Sequence, residues 1–319
     1  VDYQSGSYLK FEANENYYKG EPAIKNVVFQ IIENADTAIL ALQNGEVDAY
    51  QMTPQQVKKL DLDASNLSTY SYSEGRVGYL EINCNRVTDE KVRKALLYAM
   101  DRKAMDDAAF ESSEYYSIPY TFLPTNSQFY TEDGVEKYEQ DVDKAKSMLE
   151  DAGVSGLKLK LGYMSSDAVQ SAQALLIQEQ LKEVGVTVEL AGGDGTAIAN
   201  AMKDPDNEYD MYLGGYIMGI DPDTFSSLFE NDGAYNYMHY SGYDTIDQLF
   251  EEGRSELDES ARKETYAKLQ AAVQDTGAFY PIISNNKILV VNNRIQGVED
   301  AGLVPVYTFE DTSSLKIAE

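Results

Sequence analysis

The 319 residues include one histidine and one cysteine, so few side chains can do nucleophilic, proton-transfer or metal chemistry. His239 stands in Tyr237-Met238-His239-Tyr240, and no serine sits in a Gly-x-Ser-x-Gly elbow. A Ser-His-Asp hydrolase would have that single imidazole and no presented nucleophile, so His239 reads as a packed or surface histidine. Cys84, in Ile82-Asn83-Cys84-Asn85, has no evident neighbour to lower its pKa and reads as an inert residue at a strand end. A lone cysteine excludes an internal disulfide and a thiolate zinc cluster, and a lone histidine excludes a multi-histidine metal site. Asp204-Pro205-Asp206-Asn207-Glu208-Tyr209-Asp210 spaces its oxygens like the start of a calcium loop. Its sixth position is Tyr209 rather than glycine and its twelfth is Gly215 rather than a bidentate glutamate, which favours a solvated loop. Gly192-Gly193-Asp194-Gly195-Thr196 lacks the lysine and spacing of a phosphate loop. No cofactor and no metal are expected.

What recurs instead is polar residues after strand-like runs. Tyr216, Asp221 and Asp223 follow one run, Asp194 and Thr196 a second, and Ser284, Asn285 and Asn286 a third. Polar groups converging at strand ends beside aromatics are how open α/β sheets build small-molecule clefts. There is no Trp and there are 25 Tyr against 10 Phe, so aromatic recognition surfaces are expected to be tyrosines. Asp and Glu number 54 against 26 Lys and Arg, a net charge of −28. That repels the phosphates of nucleic acid and the anionic surface of a membrane. An apolar content of 43% is too high for a disordered acidic tail. With so many carboxylates, an acidic glycan-active enzyme using an Asp/Glu pair ~5–10 Å apart stands as the alternative function.

The elements that must position these residues alternate between strand and helix. Strands are expected at Asn26 to Ile32, around Val77 to Ile82, at Leu157 to Leu161, Val186 to Leu190 and Tyr209 to Tyr216, and as two short runs, Phe279 to Ile283 and Lys287 to Val291. Helices are expected at Asp36 to Asn44, after a Thr88 cap with Asp89 and Glu90 in the first turn, and at Asp141 to Ala152, Asp167 to Val184, Tyr243 to Glu252 and Glu259 to Gln274. Gly45, Gly153 and Gly185 are placed as helix stops. The β-α-β succession from Leu157 to Leu190 predicts a parallel pair with a crossover helix, hence a mixed α/β protein. The 111–133 segment reads as loop, and Gly219 to Asp223 as a turn.

The order of segments resembles that of bacterial extracellular solute-binding proteins of family 5, the dipeptide- and oligopeptide-binding components of ABC importers. Ala41-Leu42-Gln43-Asn44-Gly45-Glu46-Val47-Asp48 resembles one family segment. Leu80-Glu81-Ile82-Asn83, then Thr88 to Ala95 and Tyr98-Ala99-Met100-Asp101-Arg102, resembles its most specific signature. Phe122-Leu123-Pro124, Asp143 to Gly153, Gln180 to Val186, Tyr209-Asp210-Met211, Gly215-Tyr216, Asp221-Pro222-Asp223, Arg262 with Tyr266 and Gln270, and Tyr280-Pro281 continue in the family's order. The resemblance covers nearly the whole chain.

It implies a periplasmic-binding-protein-like fold (type II, cluster C) of two lobes, here one near-complete lobe plus part of the other. Residues 73–286 would form the solute-binding lobe, and residues 1–72 and 287–319 part of the first. Ser5-Gly6-Ser7-Tyr8 resembles a motif well inside these proteins, and the chain opens Val1-Asp2-Tyr3-Gln4 with no signal peptide. The chain is therefore expected to be the carboxy-terminal portion of a longer extracellular protein, a cell-surface lipoprotein or a periplasmic one. Any membrane attachment would be a lipid anchor outside it. The implied function is non-enzymatic: a receptor that closes its lobes around a solute and delivers it to the ABC transporter permease subunits. Many family members hold a peptide amino terminus with a Trp-x-x-Asp sequence; the matching residues here are Tyr216-Ile217-Met218-Gly219. Tyr216 keeps an aromatic wall, while Gly219 removes the charge partner, which Asp221 would replace from two residues along. The expected ligand-binding set is Tyr216, Ile217, Met218, Gly219, Asp221, Asp194, Thr196 and Asn285. The solute stays open between a peptide, a modified or signalling peptide, a sugar and another small molecule.

Overall fold

The computed structural model describes residues 1–110, 113–217, 221–241, 244–305 and 307–318. The chain divides into two compact units, Val1–Glu74 with Asn286–Glu319, and Gly75–Asn285.

The Gly75–Asn285 unit is built on one sheet. Strand Arg76–Ile82 lies between the first half of Phe279–Asn292 and Met211–Ile217, both antiparallel to it. Met211–Ile217 pairs in parallel with Lys158–Met164, which pairs in parallel with Thr187–Gly193. The last two strands are joined by helix Ala168–Glu183, the expected crossover unit. Alternation along Arg76–Ile82 sends successive side chains to opposite faces. Leu80 and Ile82 enter a core with Leu96, Met100, Leu161, Ile177 and Tyr280; Val77 and Tyr79 enter a second one with Phe122, Phe225, Phe229, Tyr266 and Phe279. The sheet is therefore covered on both faces, which is why its strands read as continuous apolar runs.

Local signals set the helix ends. Asp167 accepts from the amides of Val169 and Gln170, and Asp141 from that of Lys144. Gly153 and Gly185 follow those two helices with φ of +69° and +80°, a region open to glycine without steric cost. The cap at the signature helix differs from the expectation. Asp89, not Thr88, is the N-cap of Glu90–Tyr98, accepting from Lys91 N at 2.8 Å. Asp and Thr are both competent caps, and here it is the Asp89 carboxylate that reaches a first-turn amide.

The signature's two arginines are buried structural ties. Arg93 Nη2 donates to Thr276 O (2.9 Å) and Nη1 to Val87 O (3.0 Å). Arg102 Nε donates to Pro281 O (2.7 Å) and Nη1 to Tyr138 O (3.2 Å), with the guanidinium over the Tyr280 ring at 3.8 Å.

The expected pair of short strands at Phe279 to Ile283 and Lys287 to Val291 is one 14-residue strand, Phe279–Asn292. Ser284 and Asn285 pair with Ser117 and Tyr116, so they are not a turn. Polar residues within a strand look like a break in sequence, but ladder partners from a distant segment satisfy the backbone there.

In the other unit, Asn286–Asn292 pairs with Leu67–Ser73 and with Ala49–Met52. Tyr72, Leu289, Val291, Val298, Ala301 and Leu315 form its core. Asp2–Gln4, Tyr8–Glu12 and Asn26–Gln30 make a separate antiparallel sheet. Helix Ala35–Gln43 follows, capped by Asn34.

Candidate functional site

In the Gly75–Asn285 unit, Lys158–Met164, Thr187–Gly193, Met211–Ile217 and the first half of Phe279–Asn292 all run one way, and Arg76–Ile82 runs the other. One edge of the sheet therefore collects the carboxyl ends of four strands and the start of the fifth. Tyr216 and Ile217, Asp194 and Thr196, and Asn285 all fall at this edge. It is the position where open α/β sheets place ligands. Met218 and Gly219 lie outside the described residues.

The structure shows how far each side chain is already engaged. Tyr216 is half-buried, its hydroxyl 2.9 Å from Ser227 Oγ. Its ring packs 5.8 Å from that of Phe225 and 6.0 Å from that of Tyr235. Ile217 is exposed. Asp194 is the N-cap of helix Gly195–Met202, accepting from Ala197 N at 2.8 Å, and Thr196 is an exposed first-turn residue of that helix. Asn285 belongs to the strand rather than to a loop, opposite Tyr116.

Asp221 caps the short Pro222–Phe225 turn by accepting from Asp223 N at 3.0 Å. Its two carboxylate oxygens also lie 3.1 and 3.0 Å from Arg262 Nη2. Arg262 is held in turn by Gly253 O, to which its Nε donates at 2.8 Å. Asp223 is occupied as well, 2.9 Å from Arg254 Nε. The downstream helices Asp244–Ser255 and Glu259–Asp275 thus supply a cation for each acid after this strand. That pairing joins residues far apart in sequence, and no local pattern announces it.

Arg76, at the same edge, was not among the expected residues. Gly78 and Gly215 face each other across the two central strands, and the Arg76 guanidinium lies on them. A Cβ at Gly215 would meet Arg76 Nε at 2.6 Å, and one at Gly78 would meet Nη1 at 3.3 Å. The sequence signal was two glycines in adjacent apolar strands, which mark close approach, but only the register shows that they are opposed.

The other chemical candidates are engaged in the fold. Asp210 is held by Arg86 Nε at 2.7 Å and by Lys160 N at 2.7 Å, and Asp204 Oδ1 accepts from Asp206 N. Among the described residues no cluster of three His, Cys, Asp or Glu is arranged to hold a metal ion. His239 Nε2 lies 2.7 Å from Met202 O. Burial pushes the Cys84 thiol up to about 11, as befits an unreactive cysteine. Among the described residues no helix is long and apolar enough to cross a membrane.

Residues 1–237 match the family described as bacterial extracellular solute-binding proteins, family 5 Middle. The oligopeptide-binding protein AppA of Bacillus subtilis is 26% identical over 92% of this chain and 56% of its own length. Among solved structures, the ABC transporter substrate-binding protein CtaP from Listeria monocytogenes is 37% identical, with a TM-score of 0.92, covering 100% of this chain and 66% of its own. AppA from Clostridium difficile is 33% identical, with a TM-score of 0.90, covering 99% and 66%. The chain thus spans little more than half the length of the B. subtilis relative. The family consists of solute-binding proteins rather than enzymes, and nothing in the comparisons supports a carboxylate-pair glycan enzyme. The mixed α/β fold is that of the type II periplasmic binding proteins. This chain belongs to the family 5 bacterial extracellular solute-binding proteins.

Proposed function

We propose that the chain is the greater part of a receptor that binds a short peptide or related small solute and delivers it to an ABC importer. Residues 75–285 are assigned to the solute-binding lobe, and residues 1–74 and 286–319 to part of the other. The observation that carries the reading is the strand-end edge, where an aromatic wall and several polar groups stand together in a member of a solute-binding family. The two AppA relatives and CtaP support the transport assignment, and the oligopeptide-binding description of the B. subtilis protein supports the peptide class.

Within the site, Tyr216 with Tyr235 serves as the wall, and Ile217 extends its apolar surface. Thr196, and the oxygen of Asp194 not engaged in the helix cap, supply polar contacts from the neighbouring strand end. Asn285 offers hydrogen bonds from the strand that leaves the unit. Asp221 acts mainly on the loop, because Arg262 occupies its carboxylate. Permease subunits are the partner, and the protein acts outside the cell, tethered by a lipid or free in a periplasm.

The test is mass spectrometry of small molecules released by denaturing the full-length protein purified from its native host. A bound peptide or peptide derivative supports the reading. Recovery of no solute, together with no saturable binding from a peptide or sugar panel, overturns it.

A further inference from the structure

We propose that Arg76 is the residue that accepts an anionic group of the solute, and that this group is a free carboxylate of a peptide. The inference rests on the receptor reading and adds to it a residue and a charge requirement.

Three observations carry it. The first is position. Arg76 opens the central strand and pairs with Ile217, at the edge where Tyr216, Asp194 and Asn285 also stand. It is half-buried there, accessible but partly withdrawn from bulk water. The second is the missing partner. In a chain with 54 acidic residues, Arg76 has no hydrogen bond or ion pair among the described residues. Each of the other six arginines is anchored: Arg86, Arg254, Arg262 and Arg294 to carboxylates, Arg93 and Arg102 to carbonyls. A guanidinium presents five donors in a planar fork that suits a carboxylate, and leaving it idle while partly withdrawn from solvent forgoes that pairing.

The third is the seat. The opposed pair Gly215 and Gly78 leaves a flat floor, and the guanidinium lies on it, with any Cβ at Gly215 directed into Arg76 itself. Glycine weakens a strand, so two facing each other in the middle of a sheet mark a close approach. At Gly215 the approaching group is the arginine side chain; at Gly78 it is Ile283 Cγ2, at 2.8 Å from a Cβ, with the guanidinium next at 3.3 Å. The floor limits where the guanidinium can go, and so aims its donors before a ligand arrives, which lowers the ordering cost of binding.

Three acids at this edge have partners of their own. Asp221 and Asp223 are held by Arg262 and Arg254, and Asp194 caps its own helix. At this edge the Tyr216 wall stands on the Val77 and Tyr79 face and the uncommitted Arg76 cation on the opposite face, so a solute lying across the strand ends meets both. Among small solutes, that combination favours one carrying a carboxylate.

The experiment presents the full-length receptor with a peptide pool, a tryptic digest of casein, before and after methyl esterification of its carboxyl groups. Retained peptides are quantified by mass spectrometry. The wild type should retain the free-acid pool at least about tenfold better than the ester pool, the effect of losing one charge-assisted contact. Arg76→Gln should lower free-acid retention to the ester level. Gly215→Ala should do the same while preserving the arginine, because its Cβ displaces the guanidinium; melting temperatures of both variants check that the fold is intact. Peptides amidated only at the C-terminus separate a terminal carboxylate from side-chain ones. Equal retention of the two pools by the wild type, or an unchanged preference in folded Arg76→Gln, overturns this inference and leaves the receptor reading standing. Retention of neither pool overturns the peptide reading and the inference together.

Discussion

Arg262 reaches both carboxylate oxygens of Asp221, at 3.1 and 3.0 Å, and so ties the loop after a central strand to the first turn of helix Glu259–Asp275. Asp221 follows Tyr216 closely in sequence and looks like a free acid beside a binding wall. In the fold it is a bridge. The consequence for function is that Asp221 positions the loop before it can contact anything else.

Asp221→Asn should keep most of the capping contact to Asp223 N and weaken the bridge. The pair is partly exposed, so its net worth is at most about 1 kcal/mol. A double-mutant cycle with Arg262→Gln, followed by thermal unfolding, should give a coupling of that size. Solute affinity should change only modestly. A loss of binding beyond a hundredfold with an unchanged melting temperature would instead place Asp221 against the solute.

Tyr216 separates a wall from a hydrogen bond. Tyr216→Phe removes the contact to Ser227 and keeps the ring against Phe225 and Tyr235. Calorimetric titration of the co-purifying solute into the full-length receptor should show Tyr216→Phe within a few-fold of wild type. Tyr216→Ala should be weakened about tenfold or more, since it removes a large aromatic contact area. Equal binding by all three proteins would remove Tyr216 from the site.

Two buried acids make stability depend on pH. Asp106 is fully buried; its Oδ1 is 3.5 Å from Gln173 Nε2, and Oδ2 has no hydrogen-bond partner among the described residues. Burial raises its pKa to about 8. Glu81 is fully buried with neither oxygen hydrogen-bonded among the described residues, and burial raises it well above the usual carboxylate range. Between about pH 4 and 8 the unfolded chain releases the Asp106 proton while the folded chain holds it, so stability falls as pH rises. The contribution is fully present below the unfolded value and lost as pH passes through about 8. Asp106→Asn should flatten that part of the profile, and Glu81→Met should raise the melting temperature at neutral pH by removing an unpaired buried acid. Denaturation midpoints measured at intervals from pH 4 to 9 check both; a profile of unchanged slope in Asp106→Asn would refute the assignment.

Arg102 tests whether the family signature is structural. Its Nε and Nη1 reach carbonyls at Pro281 and Tyr138, and its plane covers Tyr280. Lysine cannot reproduce the fork or the stacking. Arg102→Lys should cost about 2–4 kcal/mol, as expected when a buried charged donor loses its partners, and should lower yield more than solute affinity. A variant with wild-type stability would show that the motif is held for another reason.

Much of the architecture was legible from local patterns. Asp141 and Asp167 precede apolar periodicity and cap helices, and Gly153 and Gly185 follow it with positive φ. Leu159 and Leu161, then Val186 and Val188, bracket a helix and form the parallel pair that such spacing implies. Interactions within a few residues write themselves into sequence because the partners are always near. The errors are of two kinds, a strand completed from afar and local choices between competing residues. The strand through Ser284 and Asn285 is completed by Tyr116 and Ser117, and the cap at the signature helix moves from Thr88 to Asp89.

The sequence by itself determined the family and the class of the elements it marked, through motif order, capping and periodicity, while strands Tyr8–Glu12, Ala49–Met52 and Leu67–Ser73 and helices Arg102–Phe110 and Gly195–Met202 carried no pattern that announced them. It also placed Tyr216, Asp194 and Asn285 near strand ends, though not the continuity of the strand holding Asn285. Only the tertiary structure decided which charges are spent and which are available. Asp221 and Asp223 meet arginines from helices downstream, while Arg76 lies on a glycine pair that exists only because two strands align in one register. Pairing across a sheet is a long-range choice made by the whole core, so the chemistry that depends on it cannot be read one segment at a time.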